Sequence, residues 1–271
     1  MNNKKRILVL SSLANSLINF RGDFIKSLIK QGYEVYAGAP EFSKETLKEV
    51  KDLGAIPLTY YLQRTGLNPF KDIKSILELK KLISTNKIDL VFPYTVKPVI
   101  YGSIAANMNK VSVISLITGL GFAFTGLTFK ARTLQRFNEF LYKLSIRKNK
   151  TIVFQNTDDY QLFLKRKIIS KNQNVGFVSG SGVNLEQFTS RVNENSTDVI
   201  SFVIVARLIK EKGLDLFIDA AQVLKTEYPK AEFHIIGGLD KSPSAIKLER
   251  LNMLHEKGII VFHGAQNNVS E

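Results

Sequence analysis

The chain has 271 residues, 44% of them hydrophobic, and it contains no cysteine. This size suits one large or two smaller α/β domains, and the lack of cysteine excludes a disulfide framework, a thiolate metal site and a cysteine nucleophile. The formal net charge of +14 indicates an anionic partner, which a nucleotide, a phospholipid surface or a nucleic acid would each provide.

Strand-like and helix-like segments alternate from the N-terminus, which predicts a mostly parallel, doubly wound α/β sheet. The predicted strands of this first part span residues 6–12, 33–39, 55–60, 89–93, 111–117, 151–155 and 174–178. The predicted helices span residues 19–31, 43–53, 71–86, 99–108, 130–147 and 157–166. Ser43 and the pair Asn68-Pro69 are typical helix-start residues.

The alternation stops after the seventh strand, at the turn-rich Ser179–Gly182 and the polar stretch 190–198. It then resumes with predicted strands at 199–205, 231–236 and 259–262 and predicted helices at 214–227 and 245–257. We therefore predict a complete Rossmann-like domain at residues 1–182, a linker at 183–198 and an incomplete Rossmann-like domain at 199–271. Three strands are expected to leave one sheet edge and one apolar face uncovered.

Polar or glycine-rich residues follow several strands of the first domain, at the edge where open parallel sheets bind ligands. The candidates at this edge are Asn19, Arg21, Lys97, Thr118, Gly119 and Asn156. A structural interpretation remains open for each of them. Asn19 and Asn156 are also typical helix caps, Arg21 and Lys97 are also typical surface charges, and Thr118–Gly121 also fits a plain turn.

A second set of candidates lies in Val203–Gly213, which reads VIVARLIKEKG. The apolar run at residues 202–205 predicts a buried strand that ends at Arg207. Lys212 and Gly213 directly precede a helical pattern. Two cations and a helix N-terminus at the carboxyl end of a strand suit a diphosphate. We expect this group and the loops of the first domain to face each other across an interdomain cleft.

The motifs of several common site types are absent from the sequence. No G-x-G-x-x-G follows the first predicted strand and no Walker A sequence occurs, which disfavours standard dinucleotide dehydrogenases and phosphate-loop NTPases. The three histidines, His234, His255 and His263, are too scattered to indicate a metal site. No apolar run reaches the length of about 18 residues that a membrane-spanning helix needs.

Residues 122–150 combine seven cations and one acid, Glu139, with interleaved aromatic residues. A basic, aromatic amphipathic helix is typical of contact with an anionic membrane surface. A solvated helix with a buried apolar face is the alternative. A nucleic-acid partner is disfavoured, because the sequence contains no recognised nucleic-acid-binding motif.

Seven segments carry a family resemblance: ILVLSSLANSLINFRGDFIKSLIKQGYEV, VFPYTVKPVIYGSIAA, ITGLGFAFTG, VFQNTDD, GSGVNLEQF, ARLIKEKGLDLFIDAA and FHIIGGLDKSPSA. In this order they resemble the GT-B retaining glycosyltransferases of family 4, in particular bacterial members that build O-antigen, capsule or lipid-linked oligosaccharides. The resemblance implies a GT-B-like α/β fold with a complete N-terminal and a partial C-terminal Rossmann-like domain.

The resemblance also implies roles for individual residues. Arg207 and Lys212 match the R-x4-K pair that holds the donor's diphosphate in such enzymes. Gly237, Gly238 and His263 resemble places where the donor's nucleoside lies. The segments around Asn19, Arg21, Lys97 and Thr118–Gly121 resemble acceptor-side elements.

The activity so implied is retaining transfer of a sugar from a nucleotide diphosphate sugar, expected to be UDP-linked. The expected acceptor is a polyprenyl-diphosphate-linked or saccharide molecule in surface polysaccharide synthesis. Neither a cofactor nor a metal is expected, because the two cations stabilise the leaving diphosphate. The expected location is cytoplasmic, peripheral on the inner face of the cell membrane.

Two departures from the family pattern support an alternative. Tyr94 stands where many relatives have a histidine, and the family's E-x7-E segment does not occur before Glu271. The alternative is an inactive, truncated remnant or a binding module of such an enzyme.

Overall fold

The structure is a computed structural model that describes residues 4–63, 68–119, 129–186, 188, 199–240 and 244–266, with only the backbone of 129–134. It divides into two compact units, Met1–Val183 and Asn184–Glu271. None of the described helices is long and apolar enough to cross a membrane.

The first unit is built on a seven-stranded parallel sheet with the strand order β3-β2-β1-β4-β5-β6-β7. Its strands are β1 (Arg6–Leu10), β2 (Glu34–Ala39), β3 (Ile56–Thr59), β4 (Leu90–Pro93), β5 (Ser112–Ile117), β6 (Thr151–Phe154) and β7 (Val175–Phe177). Its helices are α1 (Ala14–Asn19), α2 (Gly22–Lys30), α3 (Lys44–Asp52), α4 (Pro69–Thr85), α5 (Val96–Met108), α6 (Phe129–Ile146) and α7 (Thr157–Lys165). The predicted doubly wound α/β sheet is confirmed.

The core of this unit lies on both faces of the sheet. Along β1, Leu8 and Leu10 pack into one hydrophobic cluster and Ile7 and Val9 into the other, because successive side chains of a strand point to opposite faces. These four side chains are at most 4% exposed, and burying each one contributes about 1.5–3 kcal/mol. This packing fixes the carboxyl end of β1, from which the loop at residues 11–13 begins.

The helix starts of the first unit agree with the sequence except near the first helix and at α5, which begins at Val96, three residues before the predicted start. The Ser43 and Asn68 side chains each accept a hydrogen bond from a backbone N–H in the first turn of α3 and α4, and Pro69 opens α4. The helix predicted at 19–31 is present as α2, which starts three residues later, at Gly22, but the segment before it, predicted as a loop, contains the additional helix α1. Burial of Ala14 and Leu17, one helical turn apart, stabilises the additional short helix α1 despite its polar sequence.

The second unit contains a three-stranded parallel sheet with the order β10-β9-β8. Its elements are β8 (Ser201–Val205), a 3-10 turn (Lys210–Lys212), α8 (Leu214–Glu227), β9 (Glu232–Ile236), α9 (Leu248–Glu256) and β10 (Val261–Gly264). The core of this unit joins one face of the sheet to α8 and α9, and it includes Phe233, Ile235 and Ile218.

The prediction of a buried strand before Arg207 is wrong for the residues that the structure describes. β8 pairs only with β9 and forms the edge of its sheet, so Phe202, Val203 and Val205 are 43–59% exposed. β1 has paired neighbours on both sides and its apolar residues are buried. Among the described residues, β8 is therefore an edge strand with exposed apolar side chains.

Candidate functional site

All seven strands of the first unit run in the same direction, so the segments that follow them lie at one edge of the sheet, the carboxyl edge. The sequence places Arg21, Tyr94, Thr118 and Asn156 in such segments. Ser181, in the turn after β7, lies in a segment of the same kind.

Arg21 is the most unusual charge at this edge. Its side chain is buried, with 5% exposed, and its Nη1 donates to the Phe20 carbonyl oxygen at 2.6 Å and to Ser181 Oγ at 3.1 Å. The guanidinium carbon lies 4.9 Å from the centroid of the Tyr94 ring. Among the described residues Nε has no hydrogen-bond partner and the side chain has no ion pair with a carboxylate. Burial lowers the pKa of Arg21 because it removes water from the charged form, yet a guanidinium stays charged at neutral pH.

A buried cation without an anion is costly, and a bound anion offsets that cost. The sequence left open whether Arg21 is a surface charge, and its burial rules that interpretation out. The buried Nε lacks a hydrogen-bond acceptor among the described residues, and an anionic group within its reach would supply one. The predicted acceptor-side role of Arg21 stays a prediction.

Beneath Arg21 lies a chain of hydroxyl groups. The Tyr94 hydroxyl is 2.6 Å from Ser16 Oγ, which is 2.9 Å from Ser11 Oγ. Tyr60 donates its hydroxyl hydrogen to the Ser11 carbonyl oxygen at 2.7 Å. Burial raises the pKa of Tyr94, so its phenol stays protonated at neutral pH and acts as a hydrogen-bond donor or acceptor. Tyr94 therefore links Arg21 to Ser16 of α1 and, through Ser16, to Ser11 after β1.

Thr95, the next residue, has a strained backbone. Its φ of 66° and ψ of 159° lie in a region that residues other than glycine rarely adopt, at a cost of about 1–3 kcal/mol. Thr95 precedes α5 without capping it through its side chain, and its hydroxyl donates instead to Ser12 Oγ at 3.1 Å. The first N–H groups of α5 thus keep their partial positive charge at the carboxyl edge.

Lys97 has partners within the protein. Its Nζ donates to the Gln63 carbonyl oxygen at 2.7 Å and forms an ion pair with Asp72 at 3.3 Å, in which both side chains are 14% exposed. Nζ also lies 5.7 Å from the centroid of the Tyr101 ring. Burial and the hydrogen bond to Asp72 raise the pKa of Tyr101. From its position on α5, Lys97 thus connects the segment after β3 with α4. The predicted acceptor-side role of Lys97 stays a prediction.

The remaining candidates of the first unit fall into three situations. Asn19 is exposed and ends α1, so it does not cap the following helix, whose N-cap is Arg21. Asn156 caps α7, where its Oδ1 accepts from the Asp159 backbone N–H at 2.7 Å. Thr118 is half-buried, and Gly119 has a φ of 118° that favours glycine. Gly121 lies outside the described residues.

In the second unit, Arg207 and Lys212 both follow β8 and precede α8. Arg207 is largely exposed, and its Nη1 lies 3.4 Å from Asp240 Oδ2. Lys212 is exposed and ends the 3-10 turn, after which Gly213, with a φ of 77°, begins α8 without a side-chain cap. Two exposed cations therefore stand between β8 and α8, and Lys212 directly precedes a helix N-terminus that has no side-chain cap hydrogen bond, which suits a phosphate group.

Two acids lie beside these cations. Asp240 pairs with Arg207, and the Glu211 carboxylate is held by a hydrogen bond from Ser244, which lowers the pKa of Glu211. The Glu211 carboxylate is therefore ionised at neutral pH.

The two glycines after β9 differ in the space around them. A Cβ atom at Gly237 would lie 1.9 Å from the Ala206 carbonyl oxygen, a contact that no side chain can make. At Gly238 the nearest atom to such a Cβ is the Ala265 Cβ at 3.6 Å, an ordinary contact. Gly237 is thus required for the close approach of its backbone to the residue that precedes Arg207.

His263 lies on β10 and is paired with a second histidine. Its Nε2 is 2.9 Å from His234 Nδ1, and His234 Nε2 is 3.1 Å from Glu232 Oε2. The two rings are stacked, with centroids 5.2 Å apart. In the residues that the structure describes, no group of three or more acids and histidines is arranged to hold a metal ion. The predicted donor-side role of His263 stays a prediction.

Sequence reasoning did not identify three of these contacts. Ser181 was interpreted as part of the boundary between domains, although a Gly-Ser-Gly sequence after a strand is also typical of a ligand-binding turn. Asp240 as the partner of Arg207 and His234 as the partner of His263 carry no local signal, because each pair joins neighbouring strands or the loops after them.

The chain matches two protein families along most of its length. Residues 6–156, more than half of the chain, match the family described as "Glycosyl transferase 4-like". Residues 186–271 match the family described as "Glycosyl transferases group 1".

Individual proteins with known descriptions are also similar to the chain. An N,N'-diacetylbacillosaminyl-diphospho-undecaprenol alpha-1,3-N-acetylgalactosaminyltransferase of Campylobacter jejuni is 28% identical, over 98% of this chain and 71% of that protein. A UDP-Gal:alpha-D-GlcNAc-diphosphoundecaprenol alpha-1,3-galactosyltransferase of Escherichia coli is 25% identical, over 67% of this chain and 51% of that protein. The solved structure of Anabaena HepE with UDP and glucose superposes with a TM-score of 0.67 at 13% identity, over 99% of this chain and 71% of that one. At this low identity, the structural similarity to HepE shows only that the two proteins share a fold.

Proposed function

The chain belongs to the glycosyl transferase 4-like family, and we propose that it transfers a sugar from a nucleotide diphosphate sugar to a lipid-linked or saccharide acceptor. We further propose that the anomeric configuration is retained and that the product serves surface polysaccharide synthesis. The observation that carries this proposal is in the second unit, where the exposed cations Arg207 and Lys212 stand between β8 and α8 and Lys212 directly precedes the uncapped N-terminus of α8.

The chemistry of the reaction explains the need for these cations. As the bond between the sugar and the diphosphate breaks, negative charge develops on the diphosphate while the anomeric carbon becomes positive. Preorganised cations and backbone N–H groups stabilise this developing charge without moving. Arg207, Lys212 and the first N–H groups of α8 would supply such donors, and no protein base is then required, because the departing phosphate oxygen takes the proton of the acceptor hydroxyl.

A UDP-linked sugar is the proposed donor. The Escherichia coli relative is described as using UDP-Gal and forming an alpha-1,3 linkage. Transfer from UDP to an alpha linkage is consistent with retention, because sugars of this type are joined to UDP in the alpha configuration. Gly237, Gly238 and His263 are the proposed contacts of the nucleoside.

An anionic, polyprenyl-diphosphate-linked molecule is the proposed acceptor. Both curated relatives above are described as acting on diphospho-undecaprenol substrates. In the first unit the buried guanidinium of Arg21, with an unpaired Nε, is suited to a phosphate oxygen. The proposed location is the cytoplasm, peripheral on the inner membrane face, with residues 122–150 in contact with anionic lipid and no nucleic acid as partner.

A transfer assay tests the proposed function. The chain is incubated with radiolabelled UDP-sugars and other nucleotide sugars, together with bacterial membranes or a synthetic polyprenyl-diphosphate saccharide, and labelled lipid is extracted. Label is expected in the lipid fraction for at least one donor. If no donor is turned over while UDP binding is measurable by calorimetry, the chain is a binding module instead of an enzyme.

Replacing Arg21 by methionine is expected to weaken acceptor binding without lowering the stability of the protein. The buried charge is lost while most of the volume is kept, so the free energy of unfolding should stay within about 1 kcal/mol of the parent or increase. The KM for a polyprenyl-diphosphate acceptor should rise at least about tenfold, as expected for the loss of one charge-assisted hydrogen bond. Urea unfolding followed by circular dichroism and acceptor-dependent kinetics are the measurements.

Arg6→Met is the matched control. Arg6 forms an ion pair with Glu34 at 2.8 Å and donates to the Asn86 carbonyl oxygen at 3.0 Å, at the opposite edge of the sheet. Its loss should lower stability and leave the KM for the acceptor unchanged. A lower stability of Arg21→Met with an unaltered KM would mean that Arg21 is only structural.

A further inference from the structure

Helix α6 buries polar as well as apolar side chains. Tyr142 and Ile146 lie in the core, but Gln135, Asn138 and Ser145 are also buried, at most 7% exposed. Phe137, Phe140 and Leu144 are 42%, 61% and 62% exposed. These three residues follow the spacing i, i+3, i+7 and therefore form one stripe along the helix. A stripe of large apolar side chains in water usually marks an interaction surface.

The stripe leads into a groove with a volume of about 810 Å³. Phe140 and Leu144 form one side of the groove, and the buried side chains of Ile168 and Ile169 contribute to its lining. Gln173 joins the two sides, because its Nε2 donates to the Ile146 carbonyl oxygen at 3.1 Å and its Oε1 accepts from the Ser170 backbone N–H at 3.0 Å. The groove lies at the ends of α6 and α7 that precede β6 and β7, away from the carboxyl edge.

The charged residues that line the groove are all cations, namely Lys143, Arg147, Lys167 and Lys171. Each is exposed, and none has an ion pair within the part of the chain that the structure describes. The one acid of α6, Glu139, is instead engaged by Gln135 at 2.9 Å and by Arg166 at 3.6 Å. An apolar groove surrounded by positive charge complements a molecule with an apolar chain and an anionic head.

We propose that this groove is a binding site for an anionic phospholipid of the membrane surface, with the acyl region against Phe140 and Leu144 and the phosphate near the four cations. This inference rests on the membrane contact proposed above for residues 122–150, and it extends that contact to Lys167 and Lys171. A bilayer is favoured over a nucleic acid because the exposed stripe is apolar, and a nucleic-acid backbone gains nothing from such a surface.

The electrostatic part of the proposal is tested with Lys167→Ala/Lys171→Ala in the full chain. Flotation with vesicles of phosphatidylcholine and 30% phosphatidylglycerol gives the partition coefficient. Each cation near an anionic surface contributes about fivefold, so the double variant should bind roughly 20- to 30-fold more weakly. The matched control is Lys44→Ala/Lys51→Ala, which removes the same charge from exposed positions of α3 and should bind at most a few-fold more weakly.

The apolar part is tested with Leu144→Ser against Leu77→Ser, since Leu77 is a similarly exposed leucine, 52% accessible, on α4. Leu144→Ser should reduce vesicle binding about tenfold, and the reduction should persist in 0.5 M salt, where surface charges are screened. Leu77→Ser should bind like the parent.

Three outcomes would overturn the proposal. The first is equal loss of binding in the groove variants and their controls, which would mean that only the net charge matters. The second is binding of a soluble glycerophosphate or of an oligonucleotide as tight as vesicle binding. The third is unaltered vesicle binding by both groove variants. Vesicle binding needs no turnover, and transfer to a water-soluble acceptor is measured in parallel, so failure of this proposal is distinguishable from failure of the proposed function.

Discussion

Replacing Arg207 by alanine is expected to lower kcat for sugar transfer about 100-fold, which corresponds to about 3 kcal/mol of lost transition-state stabilisation. Arg207 is exposed, and among the described residues its ion-pair partner is Asp240, so its removal should leave the fold intact. The loss should appear in kcat as well as in donor binding, because the diphosphate carries more negative charge in the transition state than in the bound donor. Steady-state kinetics with varied UDP-sugar separates the two effects.

Lys212→Ala is expected to show a similar loss, and Lys210→Ala is its matched control. Both lysines are exposed and belong to the same 3-10 turn, but only Lys212 directly precedes Gly213 and the N-terminus of α8. Lys210→Ala should keep kcat within about twofold of the parent, as expected for a solvated surface charge. Equal effects of the two lysines, or a kcat for Arg207→Ala near the parent value, would contradict a diphosphate site at this position.

Most of the fold could be predicted because its elements are encoded locally. Ser43 and the pair Asn68-Pro69 mark helix starts through side-chain chemistry that acts within one turn. The apolar runs that become β1 and β2 are bounded by polar residues. The sequence does not predict α1, because burial of Leu17 against the sheet, a tertiary contact, decides that this helix forms.

The candidate site was less predictable for the same reason. The sequence shows that Arg21 follows a strand. Its burial and its contact with Ser181 are not visible there, because Ser181 lies 160 residues further along the chain. Lys97 carries the same signal as Arg21, yet Asp72 on α4 engages it. The exposure of Val203 and Val205 depends on which strands lie beside β8, and an apolar run alone does not contain this information.

Replacing Gly237 by alanine is expected to destabilise the second unit by about 3 kcal/mol or more, at the upper end of the usual cost of overpacking. The added Cβ would lie 1.9 Å from the Ala206 carbonyl oxygen, and neither backbone can yield easily. The Ala206 N–H donates to Ile236 at 3.0 Å and the Gly237 N–H donates to Gly264 at 2.8 Å, which ties both segments to the sheet. Because the chain has no tryptophan, hydrogen exchange measured by mass spectrometry on β8 and β9 is the suitable readout.

Gly238→Ala is the matched control, because its added Cβ would only touch Ala265 at 3.6 Å. This variant should exchange hydrogen like the parent in β8 and β9, whereas Gly237→Ala should exchange faster in both strands and lose UDP binding through displacement of Ala206 and the adjacent Arg207. Unchanged exchange in Gly237→Ala would mean that the backbone of the second unit adapts at this point. If exchange were unchanged but UDP binding were lost, Gly237 would instead be a contact of the nucleotide. The added methyl group would then exclude the ligand without disturbing the fold.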